Sequence, residues 1–374
     1  MKVAIVVPWV PEIKGISLAI TIAKYLSKKG AYVEFVVHKL DGRFKLEVAS
    51  MLGSTVTFRY LNESPKERIS RLNYLRYQFL SKIDKELAEY LMEEHRDLIL
   101  VVSDEGHNIA KFLRKYALDN EMETPVIGLL VQELIDYSFM PSVYQSYPIM
   151  RLLLSPVKFV FHRIEEKRLL SFDFLYVNSQ WTAKNLKKLY GLDSRRIVSL
   201  VDDELFPNVY KPLDQRDGIV VPTASLDKKR IKIIMNLISE GVDITTYGKK
   251  KVPGARNLGF LPRNRMIEVI SDAKAMLFLF DYEALGLIPI ESLLVGTPVI
   301  AEDKQGPSLC LKNCQCVKLT HSYSETLKHC KSFQEGENVK MFDCWSQNCS
   351  IKFAASKNAD ILYKDLYVIC KGGK

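Results

Sequence analysis

The sequence predicts an α/β protein with two domains, each built on a parallel sheet flanked by helices. Short apolar strands alternate with amphipathic helices along most of the chain. A polar, proline-containing stretch at residues 209–216 interrupts this alternation near the middle. The length of 374 residues also suggests about two domains at roughly 150 residues each. Open parallel sheets bind ligands beyond the carboxyl ends of their strands, so we expect two domains that face each other across a cleft.

The first domain is predicted to cover residues 1–208. Val3–Val7 is predicted to be a strand, and Ser17–Lys28 a helix with one apolar face that Gly30 ends. A capping box at Ser64 predicts the start of a long helix. The remaining predicted elements of this domain are the strands Tyr32–Val37, Leu98–Val102, Val126–Val131 and Phe174–Val177 and a helix at 181–190.

The stretch 209–216 is predicted to be a linker, and the second domain to cover residues 217–350. Its predicted strands are Ile219–Val221, Ile244–Tyr247, Ala275–Phe280 and Pro298–Ala301. Residues 351–374 are expected to form a C-terminal helix that returns to the first domain.

The charge balance favours anionic partners. A net charge of +9 suits phosphorylated small molecules, nucleic acid or anionic lipid, although solubility alone explains it equally well. No apolar run reaches the roughly 18 residues that a membrane helix needs. The first residues are broken by Pro8 and Pro11 and are interpreted as a strand rather than a signal peptide. We therefore expect a soluble, cytoplasmic protein.

All seven cysteines lie in the C-terminal part of the sequence, from Cys310 onward. An odd number confined to one end is unlike a secreted disulfide scaffold. Cys310, Cys314 and Cys316 lack the paired spacing of a zinc site, so we predict no metal site. One or two disulfides are compatible with a thermophilic host.

The segment from Ala275 to Ala301 carries the clearest functional pattern. A strand leads into a loop with Glu283, and a short helix begins near Gly286 and is stopped by Gly296-Thr297-Pro298. The backbone amides of Gly286, Leu287 and Ile288 are predicted to point outward from the N-terminus of this helix. Unpaired amides and the helix dipole together form a site for a phosphate.

Two carboxylates flank this predicted anion site. Glu283 and Glu291 would repel a bare phosphate, but they suit a ligand with hydroxyl groups on either side of a diphosphate, as in a sugar nucleotide. A charge-assisted hydrogen bond to a hydroxyl contributes roughly 1.5–3 kcal/mol. The alternative is that Glu291 only complements the helix N-terminus and that Glu283 is solvated.

The run from Glu283 to Glu291, followed by Gly296-Thr297-Pro298-Val299-Ile300-Ala301, resembles the donor-site signature of family 4 retaining glycosyltransferases. The resemblance implies the GT-B architecture, two Rossmann-like domains around a cleft. It also implies metal-independent transfer of a sugar, without a cofactor, from a UDP-, GDP- or ADP-sugar to a hydroxyl acceptor. By the same resemblance, Glu283 would bind hydroxyls of the transferred sugar, Glu291 the ribose, and the amides of Gly286, Leu287 and Ile288 the diphosphate.

The resemblance implies further donor contacts in the second domain. Lys229 or Lys228 matches a lysine that binds the diphosphate, and we favour Lys229, with a solvated lysine as the alternative. The family's arginine is missing, and Thr223 or Ser225 offers only a hydroxyl at that place. The turn Gly259-Phe260-Leu261 corresponds to a family segment whose backbone contacts the base.

Two residues of the first domain are candidates for the cleft. Gly15 follows the first strand where the family has a glycine-rich turn, and it is also compatible with an ordinary loop. His107 follows the strand Leu98–Val102, and a structural or exposed role is the alternative for a single loop histidine.

Other function classes stay open at the level of sequence. A sugar phosphorylase or a nucleotide-sugar epimerase would use the same fold. A basic peripheral membrane or nucleic-acid-binding protein without catalysis would use the net charge, but no nucleic-acid-binding signature is present, so we expect no specific nucleic acid partner. No two aspartates are separated by one residue, which argues against a metal-dependent glycosyltransferase.

The acceptor is predicted only as a hydroxyl compound: a glycan, a lipid or a small molecule. The helix expected from Ser64 carries many basic residues around an apolar stripe, and residues 137–161 are rich in aromatic and aliphatic side chains. Both features suit an acceptor presented by an anionic membrane, with peripheral contact of the protein. A core-facing helix with a solvated basic face is the alternative.

Overall fold

The computed structural model describes residues 1–10, 16–64, 81–103, 108–132, 134, 159–160, 162–205, 211, 215–224, 226–336 and 353–372. The chain divides into two compact units. Unit 1 comprises Met1–Leu200 and Asn358–Lys374, and unit 2 comprises Val201–Lys357.

Unit 1 is built on a parallel sheet of seven strands in the order β3-β2-β1-β4-β5-β6-β7. Its strands are β1 (Lys2–Val10), β2 (Tyr32–Asp41), β3 (Thr57–Ser64), β4 (Leu98–Ser103), β5 (Val126–Val131), β6 (Phe174–Val177) and β7 (Arg196–Ile197). Its helices up to Leu200 are α1 (Ser17–Lys28), α2 (Lys45–Leu52), α3 (Ser81–Met92), α4 (Ile109–Asp119) and α5 (Gln180–Tyr190).

The central strand β1 explains the apolar pattern of this sheet. Val3 pairs with Val33 of β2 on one side and with Leu98 of β4 on the other. Val3 and Ile5 are at most 1% exposed, because helices cover both faces of a parallel sheet. The strand sequences are therefore nearly continuous runs of aliphatic residues rather than alternating ones.

Unit 2 is built on a second parallel sheet, of six strands, in the order β10-β9-β8-β11-β12-β13. Its strands are β8 (Ile219–Pro222), β9 (Ile244–Tyr247), β10 (Arg256–Asn257), β11 (Ala275–Phe278), β12 (Val299–Glu302) and β13 (Val317–Thr320). Its helices are α6 (Lys228–Ser239), α7 (Arg263–Ser271), α8 (Leu287–Leu294), α9 (Gln305–Leu311) and α10 (Tyr323–Gln334), and α11 (Ala355–Cys370) begins in this unit.

In both sheets the first strand lies in the interior, and the order in which successive strands are added to the sheet reverses at this strand. In unit 1 the strands on either side of β1 are β2 and β4, and in unit 2 those on either side of β8 are β9 and β11. This is the order 3-2-1-4-5-6 of a Rossmann fold, in which ligands bind beyond the carboxyl ends of the strands at the reversal. The prediction of two Rossmann-like domains is confirmed.

Several elements of unit 1 were not predicted from the sequence. These are the helix α2, the strand β3 and the helix α4. Ser64, expected to cap a long helix, is the last residue of β3 and pairs with Asp41 of β2. The segment before Ser64 pairs with β2, and a capping motif, which concerns only the residues that follow Ser64, does not predict this strand pairing. Most of the predicted basic helix falls on residues 65–80, outside the described residues.

Of the predicted linker at 209–216, the structure describes Lys211, Gln215 and Arg216. Arg216 is 3% exposed and donates hydrogen bonds to the carbonyl oxygen of Gly296 at 3.0 Å and to the hydroxyl of Thr297 at 2.9 Å. Lys211 forms an ion pair with Asp272. These polar residues are bound to unit 2, and the division between the units falls earlier, after Leu200.

The C-terminal helix α11 ends in unit 1, to which residues from Asn358 onward belong. Tyr176 donates a hydrogen bond to Asp365 at 2.5 Å, and Lys29 pairs with Asp360 at 2.8 Å. Burial raises the pKa of Asp365. The hydrogen bonds from Tyr176 and the neighbouring arginines outweigh this effect and hold the pKa of Asp365 below its usual value. These contacts attach the end of the chain to the sheet of unit 1.

Within the described part of the chain, no helix has both the length and the apolar character needed to cross a membrane. Cys314 is disulfide-bonded. Cys330 and Cys370 are free thiols, and the side chains of Cys310 and Cys316 are buried. Burial raises the pKa of Cys330 to about 12, so this thiol stays protonated and unreactive at neutral pH.

Candidate functional site

The candidate site lies in unit 2, at the carboxyl ends of β8 and β11. These two strands are neighbours at the reversal of the sheet, and Ala275 of β11 pairs with Ile219 of β8. The segment after β8 leads through Thr223 to the start of α6, and the segment after β11 leads through Glu283 to the start of α8. The fold therefore brings the predicted lysines and the Glu283 turn to the same edge of one sheet.

The turn from Glu283 to Gly286 is closed by the glutamate itself. Glu283 Oε1 accepts the backbone N–H of Gly286 at 3.0 Å and that of Leu285 at 3.4 Å. Gly286 has φ 87°, in the left-handed region that favours glycine, and a Cβ there would lie 3.1 Å from Pro307. The turn thus needs both the carboxylate and the glycine.

This geometry corrects the expectation that the Gly286 amide points outward to a ligand. Its hydrogen is already donated to Glu283. The hydrogen-bond ladder of α8 begins where Ile290 donates to the carbonyl oxygen of Gly286 at 3.3 Å. The amides of Leu287 and Ile288 precede that first bond, so they are the ones at the helix N-terminus that an anion would meet.

Glu291 lies one turn into α8 rather than in its first turn. Its side chain is 7% exposed and accepts a hydrogen bond from Arg263 at 2.7 Å. The hydroxyl of Tyr247, at the end of β9, is buried and has no hydrogen-bond partner among the described residues. Burial, together with the charge of Glu291, raises the pKa of Tyr247 well above its ordinary value, so the phenol stays neutral.

The N-terminus of α6 presents two lysines to solvent. Asp227 caps this helix by accepting the N–H of Arg230 at 2.8 Å. Lys228 and Lys229 occupy its first two positions and are exposed, whereas Arg230 is buried. Cations at a helix N-terminus are unfavourable for the helix dipole, and an anionic ligand would remove that cost.

Thr223 does not reach the surface of the site. It is completely buried, and its hydroxyl accepts the backbone N–H of Lys250 at 3.2 Å. Its own N–H donates to the carbonyl oxygen of Tyr247 at 2.8 Å. Thr223 therefore holds the ends of β8 and β9 together, and the expectation that its hydroxyl contacts the diphosphate is not supported.

The turn Gly259-Phe260-Leu261 is separated from β10 by Leu258. The carbonyl oxygen of Gly259 accepts the N–H of Gly248 at 2.7 Å, which ties this turn to the end of β9. Phe260 is 69% exposed. Pro262 then leads into α7, whose first residue is Arg263. Arg263, which follows this turn and begins α7, donates a hydrogen bond to Glu291, so the turn is linked to Glu291 through Arg263.

Three predicted site residues, Ser225, Gly15 and His107, lie outside the described residues. Their proposed contacts stay predictions.

Arg230 is the centre of a buried charge network that the sequence interpretation missed. It lies 2.8 Å from Asp227, 3.5 Å from Asp281 and 3.0 Å from Glu302. Burial lowers the pKa of Arg230, but hydrogen bonding to Glu302 and the three carboxylate charges raise it above its usual value. An arginine held by three carboxylates is not available to replace the diphosphate-binding arginine of the resembled family.

Lys304, after β12, was also missed. Its ammonium group donates to the carbonyl oxygen of Phe280 at 2.6 Å and lies 3.2 Å from Glu302. Burial, aided by the charge of Arg230, lowers its pKa. A lysine after a strand gives no sequence signal for such a contact, because its partner is a backbone atom in the adjacent loop.

Among the described residues, no group of three or more His, Cys, Asp or Glu side chains is arranged to hold a metal ion. The side chains that this edge of the sheet offers to a ligand are carboxylates, lysines and an aromatic ring, together with backbone amides. Such a set binds hydroxyl groups and anions.

Comparison with known proteins agrees with this geometry. Residues 254–325 match the family model described as Glycosyl transferases group 1. The matched segment contains Glu283, the start of α8, Glu291, Arg263 and the loop after β12. No curated protein sequence matches the chain.

Solved structures share the fold over nearly the whole chain. Sucrose-phosphate synthase from Thermosynechococcus elongatus superposes with a TM-score of 0.70 at 14% identity, covering 99% of this chain and 100% of that one. Anabaena HepE in complex with UDP-glucose has a TM-score of 0.68 at 13% identity, covering 98% and 99%. UDP-GlcNAc 2-epimerase from Neisseria meningitidis, bound to UDP-GlcNAc, has a TM-score of 0.59 at 14% identity, covering 99% and 100%.

These similarities define the class of fold. The two Rossmann-like units form a GT-B fold, as predicted. The family match and the fold together support a glycosyltransferase.

Proposed function

We propose that the protein is a retaining, metal-independent glycosyltransferase of the family 4 type that moves a hexose from a nucleoside diphosphate sugar to a hydroxyl acceptor. The observation that carries the proposal is the Glu283–Glu291 segment at the carboxyl end of β11, inside the part of the chain that matches group 1 glycosyl transferases. UDP is the first nucleotide to test, because HepE was solved with UDP-glucose.

In this proposal, different residues bind the diphosphate, the transferred sugar and the ribose of the donor. The exposed ammonium of Lys229, with Lys228 beside it, and the amides of Leu287 and Ile288 neutralise the diphosphate as it leaves. This electrostatic stabilisation of the leaving group is the largest contribution that the protein makes. Glu283 binds hydroxyls of the transferred sugar, and Glu291 binds the ribose.

The remaining proposed contacts are made by three groups. Ser225 contacts the diphosphate, and the backbone of Gly259 and Leu261, together with Phe260, contacts the base. Gly15 and His107 are the candidates on the first domain. No nucleophile or general base is assigned. The retaining mechanism follows the resemblance, in which the departing phosphate accepts the proton of the acceptor.

A thermal-shift screen tests the nucleotide part of the proposal. UDP, GDP and ADP and their glucose conjugates are each added with and without EDTA. Ligand at 100 times its dissociation constant stabilises a protein by about 2.7 kcal/mol. We expect one nucleotide series to raise the melting temperature equally in both conditions. Absence of any shift for all six compounds would contradict the proposal, and a shift abolished by EDTA would contradict metal independence.

Lysine variants test the assignment of the diphosphate. Lys229→Ala is compared with Lys232→Ala, an exposed lysine one turn further along the same helix. We expect the first to weaken binding of the nucleoside diphosphate about tenfold and the second to leave it unchanged. Equal effects of the two variants would show only a general effect of net charge.

A nucleotide-sugar epimerase is the second candidate, because UDP-GlcNAc 2-epimerase from Neisseria meningitidis shares the fold. Incubation with UDP-GlcNAc without an acceptor distinguishes the two. An epimerase forms the epimeric nucleotide sugar at equilibrium, whereas the proposed transferase leaves the sugar configuration unchanged. Accumulation of the epimer would replace the transferase proposal.

The acceptor is proposed only as a hydroxyl compound, and an anionic membrane is one way of presenting it. Sedimentation with vesicles of phosphatidylserine and phosphatidylcholine tests the membrane contact. Failure to sediment, with unchanged donor hydrolysis, would remove the membrane from the proposal.

A further inference from the structure

The loop that carries Glu283 is attached to a second loop along its whole length. The two segments are residues 280–283, after β11, and residues 302–306, at the end of β12. Backbone groups of Phe280, Asp281 and Glu283 in the first loop bond in turn to Glu302, Lys304, Gln305 and Gly306 of the second. The contacts are Phe280 N–H to Glu302 at 3.1 Å, Lys304 to the Phe280 carbonyl at 2.6 Å, Gln305 to the Asp281 carbonyl at 3.2 Å, the Glu283 N–H to Gln305 at 2.8 Å and the Gly306 N–H to the Glu283 carbonyl at 3.1 Å.

Gln305 is the residue that bonds this loop at two points. Its Oε1 accepts the backbone N–H of Glu283, and its Nε2 donates to the carbonyl oxygen of Asp281. A glutamine amide has both an acceptor and donors, so one side chain holds the backbone on both sides of Tyr282. The direction in which the Glu283 side chain leaves its loop is thereby set.

The backbone of Gln305 is also unusual. Its φ is 53°, and it is one of two non-glycine residues with positive φ among the described residues. Such a conformation disfavours a side chain with a Cβ and persists where surrounding contacts impose it. The next residue, Gly306, has no room for a Cβ, which would lie 1.9 Å from the carbonyl oxygen of Ala284. Gln305 thus occupies a strained backbone position from which its side chain bonds to the Glu283 loop.

We propose that Gln305 is a positioning residue that sets the orientation of the Glu283 carboxylate and thereby controls recognition of the transferred sugar, with no effect on recognition of the nucleotide. This inference rests on the proposed function, in which Glu283 binds the sugar and other residues bind the nucleotide. A residue that only stabilised unit 2 would affect both parts of the donor alike.

The experiment compares Gln305→Gly with Gln334→Ala. Gln334 is a matched control, because its Oε1 accepts the N–H of Asp243 at 2.8 Å and its Nε2 donates to the carbonyl oxygen of Gly241 at 3.1 Å. It thus makes the same pair of contacts with a different loop. Dissociation constants for UDP and UDP-glucose are measured by titration calorimetry on the full chain, and unfolding temperatures are recorded for each variant.

We expect Gln305→Gly to weaken UDP-glucose relative to UDP by about tenfold compared with the unsubstituted protein, the loss expected for one hydrogen bond to a charged group. The dissociation constant for UDP itself is expected to stay within about twofold. Glycine accepts positive φ, so the unfolding temperature is not expected to fall by more than the control's. Gln334→Ala is expected to leave the ratio of the two dissociation constants unchanged.

An unchanged ratio for Gln305→Gly, or equal weakening of UDP and UDP-glucose, would overturn the inference while leaving the proposed function intact. Should Gln305→Gly fail to fold, Gln305→Asn serves instead, since asparagine also tolerates positive φ and keeps an amide, but its side chain is one methylene too short to bond both the Glu283 N–H and the Asp281 carbonyl oxygen. It is expected to shift the ratio in the same direction by a smaller factor, and no shift would overturn the inference. If the unsubstituted protein bound neither compound, nor the GDP or ADP pairs, the proposed function would fail and the inference with it.

Discussion

Arg263 donates a hydrogen bond to Glu291 at 2.7 Å, and this contact joins the first residue of α7 to the middle of α8. Glu291 is buried and Arg263 is partly exposed. A cation at a helix N-terminus interacts unfavourably with the helix dipole, and the carboxylate of Glu291 offsets this effect at the start of α7. In return, Arg263 provides a cation for the buried carboxylate of Glu291. A ribose that bound Glu291 would have to share this carboxylate with Arg263.

Replacing Arg263 with alanine should weaken nucleotide binding. The buried carboxylate would lose its cation, and breaking a buried pair from one side costs about 3–5 kcal/mol; partial exposure of Arg263 reduces the expected loss to about 2 kcal/mol. We expect affinity for UDP to fall about tenfold. Urea unfolding and titration calorimetry measure the two effects.

Arg265→Ala is the matched control for this prediction. Arg265 lies on the same helix, is exposed and pairs with Glu268. Loss of an exposed pair changes stability by less than about 1 kcal/mol. If both variants changed UDP affinity equally, the pair of Arg263 and Glu291 would have no special part in binding.

Tyr247→Phe should leave the free energy of unfolding unchanged or raise it by up to about 1 kcal/mol. The substitution removes a buried hydroxyl that has no partner among the described residues, and an unsatisfied buried polar group is costly. Tyr176→Phe is the control, because Tyr176 donates to Asp365, and its removal should cost about 1–2 kcal/mol. Equal destabilisation by the two variants, measured in urea, would show that Tyr247 has a bonding partner.

Gly306→Ala should destabilise unit 2 and displace the Glu283 turn. Its Cβ would lie 1.9 Å from the carbonyl oxygen of Ala284 and 2.7 Å from the backbone nitrogen of Leu285. These are backbone atoms, so the turn itself has to move, at an expected cost of about 2–3 kcal/mol. Guanidinium unfolding measures the change.

Gly259→Ala provides the comparison for that substitution. Gly259 has φ 72°, but nothing lies within 4 Å of the position of its Cβ. Only the backbone penalty applies there, at about 1 kcal/mol. A smaller loss at Gly306 than at Gly259 would mean that the Glu283 turn adapts to the added methyl group.

Glu302→Gln should reduce stability near neutral pH and have less effect in acid. Burial raises the pKa of Glu302, but the hydrogen bonds from Arg230 and the Phe280 amide, with the charge of Lys304, hold it below its usual value. A carboxylate with a depressed folded-state pKa contributes stability above its unfolded pKa, and the contribution is lost as the pH falls through the folded-state pKa.

We therefore expect Glu302→Gln to cost about 2–3 kcal/mol at pH 7 and progressively less below a pH of about 4. Urea unfolding between pH 3 and 7 checks this. A difference between the two proteins that stayed constant across the range would show that the charge of Glu302 is not what stabilises the network.

Residue pattern was sufficient to predict the architecture. Helix α1 was predicted with the observed bounds Ser17–Lys28, because its apolar period and Gly30 are local signals. The strands on either side of the Glu283–Glu291 segment were predicted with ends that differ slightly from the observed Ala275–Phe278 and Val299–Glu302. The short helix between them was predicted from Pro289 in its first turn and from Gly296-Thr297-Pro298 at its end, which are also local signals.

Contacts between segments distant in sequence were not predictable in this way. Whether the Gly286 amide is available to a ligand depends on the Glu283 side chain folding back on it. Arg216, in the stretch predicted to be a linker, is buried and donates hydrogen bonds to Gly296 and Thr297, which lie about 80 positions away in the sequence.

Local periodicity and turn chemistry thus suffice to place strands, helices and the Glu283–Glu291 segment along the chain. The partners of those residues depend on which loops meet at the carboxyl edge of the sheet. Arg263 reaches Glu291, and Gln305 reaches Glu283, only because parallel strands bring the loops that follow them to one edge. Hydrogen bonds and ion pairs act over a few ångströms in space, and the sequence order of their partners has no bearing on that distance.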